Sequence, residues 1–248
     1  MELRLGGRRA LVTGAAGGIG RAAARALADE GCHVALLDRD VAALDALAVD
    51  LRGTGVSVTT LPCDVTDEVA VGEAVRAAGE LDVLIGCAGI SGPVGTPLAD
   101  TALAEWEAVF AVNVRGTFLV LRAAIPALRR SDAASVVLVA SDSALVAAPG
   151  MVPYCASKAA VLQLARAASV DLASDGIRVT AVCPSVVDTP MSRGDLEVDG
   201  FEEAAFPVQS AAEVASQLVF LASPVSRPVN GTALVTDFGY TARSNFPA

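Results

Sequence analysis

The chain has 248 residues, of which 53% are hydrophobic and 19% charged, and this composition excludes a disordered chain. Its formal net charge of −10 at pH 7 argues against the basic surface that nucleic acid or an anionic membrane requires, so we expect neither partner. The N-terminal segment MELRLGGRR lacks an apolar signal core. The five cysteines are dispersed and there is one histidine, which predicts a reducing, cytoplasmic location and no metal site.

Short apolar segments alternate with longer Ala-rich segments of helical pattern along the whole chain. The apolar segments lack polar alternation, as expected for strands covered on both faces, and lie at residues 10–13, 34–37, 56–61, 83–87, 136–140, 179–183 and 233–236. The helical segments lie near residues 18–30, 40–52, 67–79, 101–130, 154–174 and 211–222. The pattern predicts an α/β fold, a doubly wound parallel sheet of about seven strands with helices on both faces, in a single domain over residues 1–248.

A glycine-rich turn, LVTGAAGGIGRA at residues 11–22, joins the first predicted strand to the first helix. Gly14, Gly17, Gly18 and Gly20 allow a tight turn and close approach to a phosphate, and the helix N-terminus supplies N–H donors. A glycine-rich loop without a ligand is the alternative. The position in the first strand–turn–helix unit favours a dinucleotide pyrophosphate.

Asp38 ends the second predicted strand in the segment HVALLDRD. A carboxylate there accepts hydrogen bonds from the adenosine ribose and repels a 2′-phosphate, which predicts NAD as the cofactor. Arg39 is adjacent and would weaken that repulsion, and a helix cap is the alternative role for the acidic side chains of this turn. Asp64, in PCDV after the third strand, is predicted to contact the adenine edge or to cap a turn.

Lys158 is the only lysine of the chain and stands four residues after Tyr154, in YCASK. Residues i and i+4 of a helix share a face, so the phenol and the amine are expected at one site. A phenol has an ordinary pKa of about 10, and proton exchange with an alcohol near neutral pH requires a lower value. An ammonium and an oxidised nicotinamide, both positive, would lower it, which is a physical reason for a lysine at this position.

Together these motifs resemble the short-chain dehydrogenase/reductase family. The resemblance rests on TGAAGGIG, CDV, NVRG, YCASK, PSVVDTPM and the tail NGTALVTDFGYTA, and it implies a Rossmann-like fold. It departs from the family at GCAG (residues 86–89), where the family has two asparagines, and at Ser185 and Phe238, where the family has glycine. It also implies a homotetramer that assembles through the helices near 101–130 and 154–174.

The resemblance implies four catalytic residues. Tyr154 is the acid/base, Lys158 assists it and holds the ribose, and Asn113 carries a water chain to solvent. Ser141 hydrogen-bonds the substrate oxygen, and Ser143 is the alternative for that role. Asp142 between them is expected to be a solvated turn carboxylate. The implied cofactor contacts are Gly14, Gly17, Gly18, Ile19, Gly20, Asp38, Arg39, Asp64, Val65, Ala88, Gly89, Tyr154, Lys158, Pro184, Val187 and Thr189.

Residues 189–210 interrupt the strand–helix pattern and are predicted to form a substrate lid. We expect a pocket lined by Ser143, Met151, Met191 and Phe206, and a small, mostly apolar secondary alcohol or ketone as substrate. The lid's carboxylates either surround the substrate or face solvent. The alternatives are a reductase of 3-oxoacyl thioesters, on a carrier protein or coenzyme A, and a non-catalytic NAD-binding regulator.

Overall fold

The structure, a computed structural model, describes residues 2–243. Its strands are β1 (Arg9–Thr13), β2 (His33–Asp38), β3 (Val58–Pro62), β4 (Val83–Gly86), β5 (Ser135–Val139), β6 (Arg178–Pro184), β7 (Val187–Asp188), β8 (Gln209–Ser210) and β9 (Ala233–Thr236). Its α-helices are α1 (Gly18–Asp29), α2 (Val41–Arg52), α3 (Glu68–Ala78), α4 (Leu103–Phe110), α5 (Thr117–Leu128), α6 (Val152–Asp171), α7 (Pro190–Asp195) and α8 (Ala211–Ala222).

Seven strands form one parallel sheet in the order β3-β2-β1-β4-β5-β6-β9, which confirms the predicted fold class. Successive side chains of a strand point to opposite faces, so Leu11 belongs to one apolar core and Val12 to the other. The first core is closed by α3, α5 and α6, and the second by α1, α2 and α8. Strand order reverses between β1 and β4, and ligands bind beyond the carboxyl ends of the strands at such a point.

Two predicted elements differ in detail from the structure. The helix predicted over residues 101–130 is interrupted by a π-helical segment, Ala111–Gly116, between α4 and α5. Single π-helical turns inside α-helices often mark functional positions, and this one contains Asn113. The lid segment is also more regular than predicted, because it contains α7 and because β8 pairs with β7 in a second, two-stranded sheet.

The helical region Leu103–Leu128 is long and apolar enough to cross a membrane by length and composition. Part of it is buried in the fold, where Leu119, Val120 and Leu121 join the core under α3. Core helices of soluble proteins share these properties, so this helix alone is weak evidence for a membrane span. The absence of a membrane partner stays a prediction.

Candidate active site

A cleft of about 400 Å³ opens beyond the carboxyl ends of the strands, at the point where strand order reverses. Most of the predicted cofactor contacts line it: Gly14, Gly17, Gly18, Ile19, Gly20, Asp38, Arg39, Asp64, Val65, Ala88, Gly89 and Thr189. It is also lined by Met191, a predicted substrate contact, and by Ile90. Sequence reasoning missed several lining residues that directly flank the motifs, among them Ala16, Asp40, Cys63, Cys87 and Val112.

The glycine turn is packed too closely for side chains. Gly14 has φ +62°, and a Cβ atom there would stand 2.8 Å from Ala88 Cα. A Cβ atom on Gly20 would stand 2.1 Å from the Gly14 carbonyl oxygen, and one on Gly18 would stand 2.6 Å from Thr189 Cγ2. Glycine is therefore required here by packing as well as by the turn, and bare backbone lines the cleft at the N-terminus of α1.

Asp38 is held in place by backbone donors at the end of β2. Its Oδ2 accepts from the Ala16 N–H at 3.0 Å and its Oδ1 from the Asp40 N–H at 3.1 Å. A carboxylate oxygen has two acceptor sites, so each retains one for a ligand hydroxyl. The helix-cap role belongs to Asp40, whose side chain accepts from the Ala43 N–H at 3.0 Å.

Asp64 forms a local turn while lining the cleft. Its Oδ1 accepts from the Thr66 backbone N–H and from the Thr66 hydroxyl, both at 2.8 Å. These two hydrogen bonds, with a smaller contribution from Arg39 and Arg115, lower the pKa of Asp64. The turn role of Asp64 is therefore present in the structure, and its contact with an adenine edge stays a prediction.

The segment GCAG lacks the family's asparagines, and Thr13 holds it instead. The Thr13 hydroxyl oxygen accepts from the Cys87 N–H at 3.2 Å and from the Ala88 N–H at 3.3 Å. Burial raises the pKa of the Cys87 thiol to about 12, so this side chain stays a neutral thiol near neutral pH. The loop is thus fixed by β1 without the asparagine side chains.

Tyr154 and Lys158 lie on the first turns of α6 and meet as predicted. The Lys158 Nζ lies 5.5 Å from the centroid of the Tyr154 ring. Pro153, in the first turn, lacks an N–H that the helix would leave unpaired, and its fixed φ suits this position. Lys158 is 6% exposed and donates from Nζ to the Val139 carbonyl oxygen of β5 at 3.0 Å. A Cβ atom on Gly89 would lie 3.5 Å from Lys158 Nζ, so the amine adjoins the cleft.

The pKa values of this pair differ from the sequence expectation. Burial raises the pKa of Tyr154 to about 12, with Asp142, Asp195 and Cys155 adding to the rise and a hydrogen bond from Ser141 opposing it. Burial lowers the pKa of Lys158 to about 8. The sequence predicted an acidified phenol. In the protein without a cofactor, desolvation of the phenol outweighs the Ser141 hydrogen bond. A positively charged nicotinamide beside the phenol would lower this pKa.

Ser141 caps the short 3₁₀ turn Asp142–Ala144 that follows β5. Its Oγ accepts from the Ser143 N–H at 3.1 Å and donates to Asp142 Oδ1 at 3.0 Å. Ser141 is 6% exposed, and it is the serine whose hydrogen bond shifts the pKa of Tyr154. These contacts favour Ser141 over Ser143 as the partner of the phenol.

Asn113 is 1% exposed and bridges the cleft loop to α6. Its Oδ1 accepts from the Ile90 N–H at 2.8 Å, and its Nδ2 donates to the Ile90 carbonyl and to the Ser157 hydroxyl, both at 2.9 Å. Ser157 in turn donates to the Tyr154 carbonyl oxygen at 2.8 Å. Asn113 therefore supports both halves of the site, and its predicted water chain stays a prediction.

The lid closes one side of the cleft with α7. Asp195 accepts from the Ser91 hydroxyl at 2.7 Å, which ties α7 to the loop after β4. Arg193 forms a bidentate pair with Asp188, with Nε to Oδ1 at 2.6 Å and Nη2 to Oδ2 at 2.9 Å. The lid's single arginine is therefore neutralised by a neighbour.

The remaining predicted site residues lie around the cleft rather than among the residues that line it. Pro184 and Val187 are buried beside the lid, and the Pro184 carbonyl lies 3.5 Å from Ser141 Oγ. Ser143 and Met151 are partly buried, and Phe206 is 45% exposed. Their contact with a substrate stays a prediction. Within residues 2–243 no three His, Cys, Asp or Glu side chains gather as metal ligands.

The cleft fits a dinucleotide. A side-chain-free glycine surface faces the N-terminus of α1, Asp38 stands at the end suited to a ribose, and the Lys158 amine adjoins Gly89 at the other end. Lys158 has one hydrogen-bond acceptor among the described residues, and an ammonium has three N–H donors. Donors therefore remain for ribose hydroxyls beside Tyr154.

Comparison with known proteins gives consistent matches over nearly the whole chain. A family model described as "Enoyl-(Acyl carrier protein) reductase" matches residues 14–241. A 2-(R)-hydroxypropyl-CoM dehydrogenase of Xanthobacter autotrophicus is 39% identical over 95% of this chain and 99% of its own length. A mitochondrial borneol dehydrogenase of Lavandula x intermedia is 38% identical over 95% of this chain and 91% of its own length.

A crystal structure of carveol dehydrogenase from Mycobacterium avium, in complex with NAD, resembles this chain with a TM-score of 0.88. The two chains are 29% identical, and the match covers 97% of this chain and 99% of the other. The topology, the glycine turn and the Tyr154–Lys158 pair therefore occur in a chain that is similar to dehydrogenases over nearly its whole length.

Proposed function

The chain belongs to the short-chain dehydrogenase/reductase family, and we propose that it is an oxidoreductase that transfers a hydride between NAD(H) and a small, mostly apolar secondary alcohol or ketone. The observation that carries this function is the meeting of Tyr154 with Lys158 and Ser141, where the Lys158 amine adjoins Gly89 of a cleft suited to a dinucleotide. The dehydrogenases that match 95% of this chain support an enzyme over the non-catalytic alternative.

In the proposed reaction the nicotinamide, when bound, accepts the hydride of an alcohol carbon or donates one to a carbonyl carbon. Tyr154 removes the alcohol proton in oxidation and returns it to the carbonyl oxygen in reduction. Ser141 hydrogen-bonds the same oxygen. Lys158 binds ribose hydroxyls through its free N–H groups, and its positive charge favours the ionised phenol.

We propose NAD(H) rather than NADP(H) on the basis of Asp38. Two backbone N–H groups fix its carboxylate at the cleft, so it cannot turn away from a 2′-phosphate without losing both hydrogen bonds. Asp40 and Asp64 line the same end and add negative charge. Arg39 also lines the cleft, and its positive charge would attract a 2′-phosphate. This charge already acts on Asp64, whose pKa it helps to lower.

The proposed substrate class rests on the charges of the lid. Arg193 is the only cation of residues 189–210 and is paired with Asp188, so the lid offers no free cation for a phosphate or a coenzyme A tail. Met191 supplies an apolar contact at the cleft. Borneol and carveol, named in two of the similar proteins, are cyclic secondary alcohols and support a small cyclic substrate.

Reduction of acyl thioesters is the second candidate, because the matching family model is described by an acyl-carrier-protein substrate. A carrier protein is acidic and would dock on a basic rim. The exposed lid carries Glu197, Asp199, Glu202 and Glu203 instead. These charges favour the alcohol substrate.

The test is a turnover screen at 340 nm with NAD and a panel of cyclic and aromatic secondary alcohols, followed by the corresponding ketones with NADH. The 3-oxoacyl thioesters form the competing arm, and Tyr154→Phe is the blank. We expect higher kcat/KM for neutral alcohols or ketones than for thioesters. A kcat/KM for a thioester well above that for every neutral substrate would make thioester reduction the favoured function. No turnover with any substrate would support the non-catalytic NAD-binding regulator.

Two further proposals concern assembly and location. We propose a homotetramer that packs through α4, α5 and α6, because Leu103, Phe118 and Val170 are large, exposed apolar side chains on these helices. Light scattering at micromolar concentration tests it, and a monomer would contradict it.

We propose a cytoplasmic location, since all five cysteines are free thiols.

A further inference from the structure

Asp195 lies on the side of α7 that faces the cleft. It stands four residues after Met191, which lines the cleft, and residues i and i+4 of a helix share a face. Its Oδ1 accepts from the Ser91 hydroxyl at 2.7 Å, and Ser91 directly follows Ile90, another residue of the cleft wall. The carboxylate is therefore held between α7 and the loop after β4, at the edge of the proposed substrate site.

The charge of Asp195 acts on the group that exchanges the proton. Burial is the main cause of the raised pKa of Tyr154, and the negative charges of Asp142 and Asp195 add to it. Such an effect falls with distance and is screened by water, so the Asp195 carboxylate lies near the phenol. The substrate oxygen has to reach the same phenol to exchange a proton with it. A bound substrate would therefore lie close to this carboxylate.

No cation among residues 2–243 forms an ion pair with Asp195. Its side-chain partner is the Ser91 hydroxyl, which is neutral. Arg193 stands two residues earlier on α7, but the Asp188 carboxylate and the Asp199 carbonyl oxygen accept from it. The negative charge of Asp195 is therefore not compensated by a neighbour.

The proposed substrate site carries a net negative charge near neutral pH. Asp142 and Asp195 supply two negative charges near the phenol, and Lys158 supplies one positive charge. Lys158 is buried, and its remaining N–H donors serve ribose hydroxyls in the proposed reaction. A reduced nicotinamide is uncharged and adds no positive charge. An anionic group of a substrate would therefore be repelled at this end of the cleft.

We propose that Asp195 is a specificity-determining residue: its charge on the cleft side of α7 excludes substrates that carry a carboxylate, sulfonate or phosphate close to the reacting carbon. Neutral substrates and those with a positively charged group are admitted. The proposal rests on the proposed function, because it concerns the substrate of the same site. It goes beyond the lack of a free cation in the lid, since it assigns the selection to one repelling side chain.

The experiment compares two ketones of similar shape and different charge, 4-oxocyclohexanecarboxamide and 4-oxocyclohexanecarboxylate, as substrates with NADH near neutral pH. In wild type we expect kcat/KM for the carboxylate to be lower by about tenfold. Asp195→Asn removes the charge and keeps an oxygen that can accept from Ser91, so it should reduce this ratio by about fivefold. Glu203→Gln removes an exposed charge of the same lid and should leave the ratio as it is in wild type. An unchanged ratio in Asp195→Asn, or an equal change in Glu203→Gln, would overturn the proposal.

A second arm measures the same selection without turnover. Calorimetry gives the dissociation constants of the two ketones for the NADH complex of Tyr154→Phe, with and without Asp195→Asn. Weaker binding of the carboxylate that Asp195→Asn relieves, in a protein whose wild type reduces no ketone, would refute the proposed function and support this inference. Turnover of neutral ketones with a ratio that ignores Asp195 would do the reverse. Binding of neither ketone would overturn both.

Discussion

The Lys158 ammonium donates to the Val139 carbonyl oxygen at 3.0 Å, which fixes the only lysine of the chain between α6 and the end of β5. The contact places a cation beside the Tyr154 ring and the cleft at the cost of its hydration. That cost appears as a pKa lowered to about 8 by burial. The burial that positions this amine therefore also lowers its pKa.

The buried amine predicts a pH dependence of stability. Between about pH 8 and the ordinary value of 10.5 the folded protein binds fewer protons at Lys158 than the unfolded chain, so the free energy of unfolding rises with pH. The stability contributed by the neutral Lys158 amine is fully present above this window and is lost as pH falls through it to about 8. From pH 7 to pH 9 wild type should gain about 1.4 kcal/mol relative to Lys158→Met. Urea unfolding of both proteins measures it, and a constant difference would contradict the burial.

The glycine turn predicts a contrast between two Gly→Ala changes. A Cβ atom on Gly20 would stand 2.1 Å from the Gly14 carbonyl oxygen, whereas a Cβ atom on Gly72 in α3 meets nothing within 4 Å. Gly20→Ala should destabilise the protein by about 1–3 kcal/mol or more. Gly72→Ala should stabilise it by about 0.5–1 kcal/mol, because alanine suits a helix better. Chemical denaturation of both proteins tests the pair, and similar effects would argue against the tight turn.

Asp38 predicts the choice between the two nicotinamide cofactors. We expect wild type to favour NAD over NADP in kcat/KM by about 100-fold, which corresponds to about 2.7 kcal/mol. Asp38→Ser removes the charge that faces a 2′-phosphate and should reduce or invert this ratio. Asp45→Asn removes an exposed charge of α2 outside the cleft and is the control. Comparable efficiency of wild type with both cofactors would refute the assignment.

The sequence predicted the parts of the molecule that local patterns determine. The strands and helices follow from apolar periodicity, and the i, i+4 spacing predicted that Tyr154 and Lys158 meet. The sequence did not predict the contacts between segments that are distant along the chain. Lys158 finds its acceptor nineteen residues away on β5, and Ser91 binds Asp195 over 104 residues. The direction of the Tyr154 pKa also depends on burial by several elements, which no local motif records.

The helix near residues 101–130 shows the same limit. Its apolar composition predicted a helix correctly, and its π-helical segment was not predictable because Asn113 is drawn inward by Ile90 and Ser157. The lid was predicted as an irregular insert, but it contains α7, which starts after the N-cap residue Thr189. This helix has only six residues, which is too short to give a clear helical pattern in the sequence. Short elements of this kind depend on the surfaces they pack against.

The role of Tyr154 is tested by the turnover of Tyr154→Phe compared with its binding of NAD. The change removes only the phenolic hydroxyl, so we expect kcat to fall by at least about 100-fold with the best secondary alcohol of the screen. The dissociation constant for NAD, measured by calorimetry, should stay close to that of wild type, with unchanged stability as the folding control. Substantial turnover by Tyr154→Phe with intact NAD binding would contradict the assignment of Tyr154 as the acid/base.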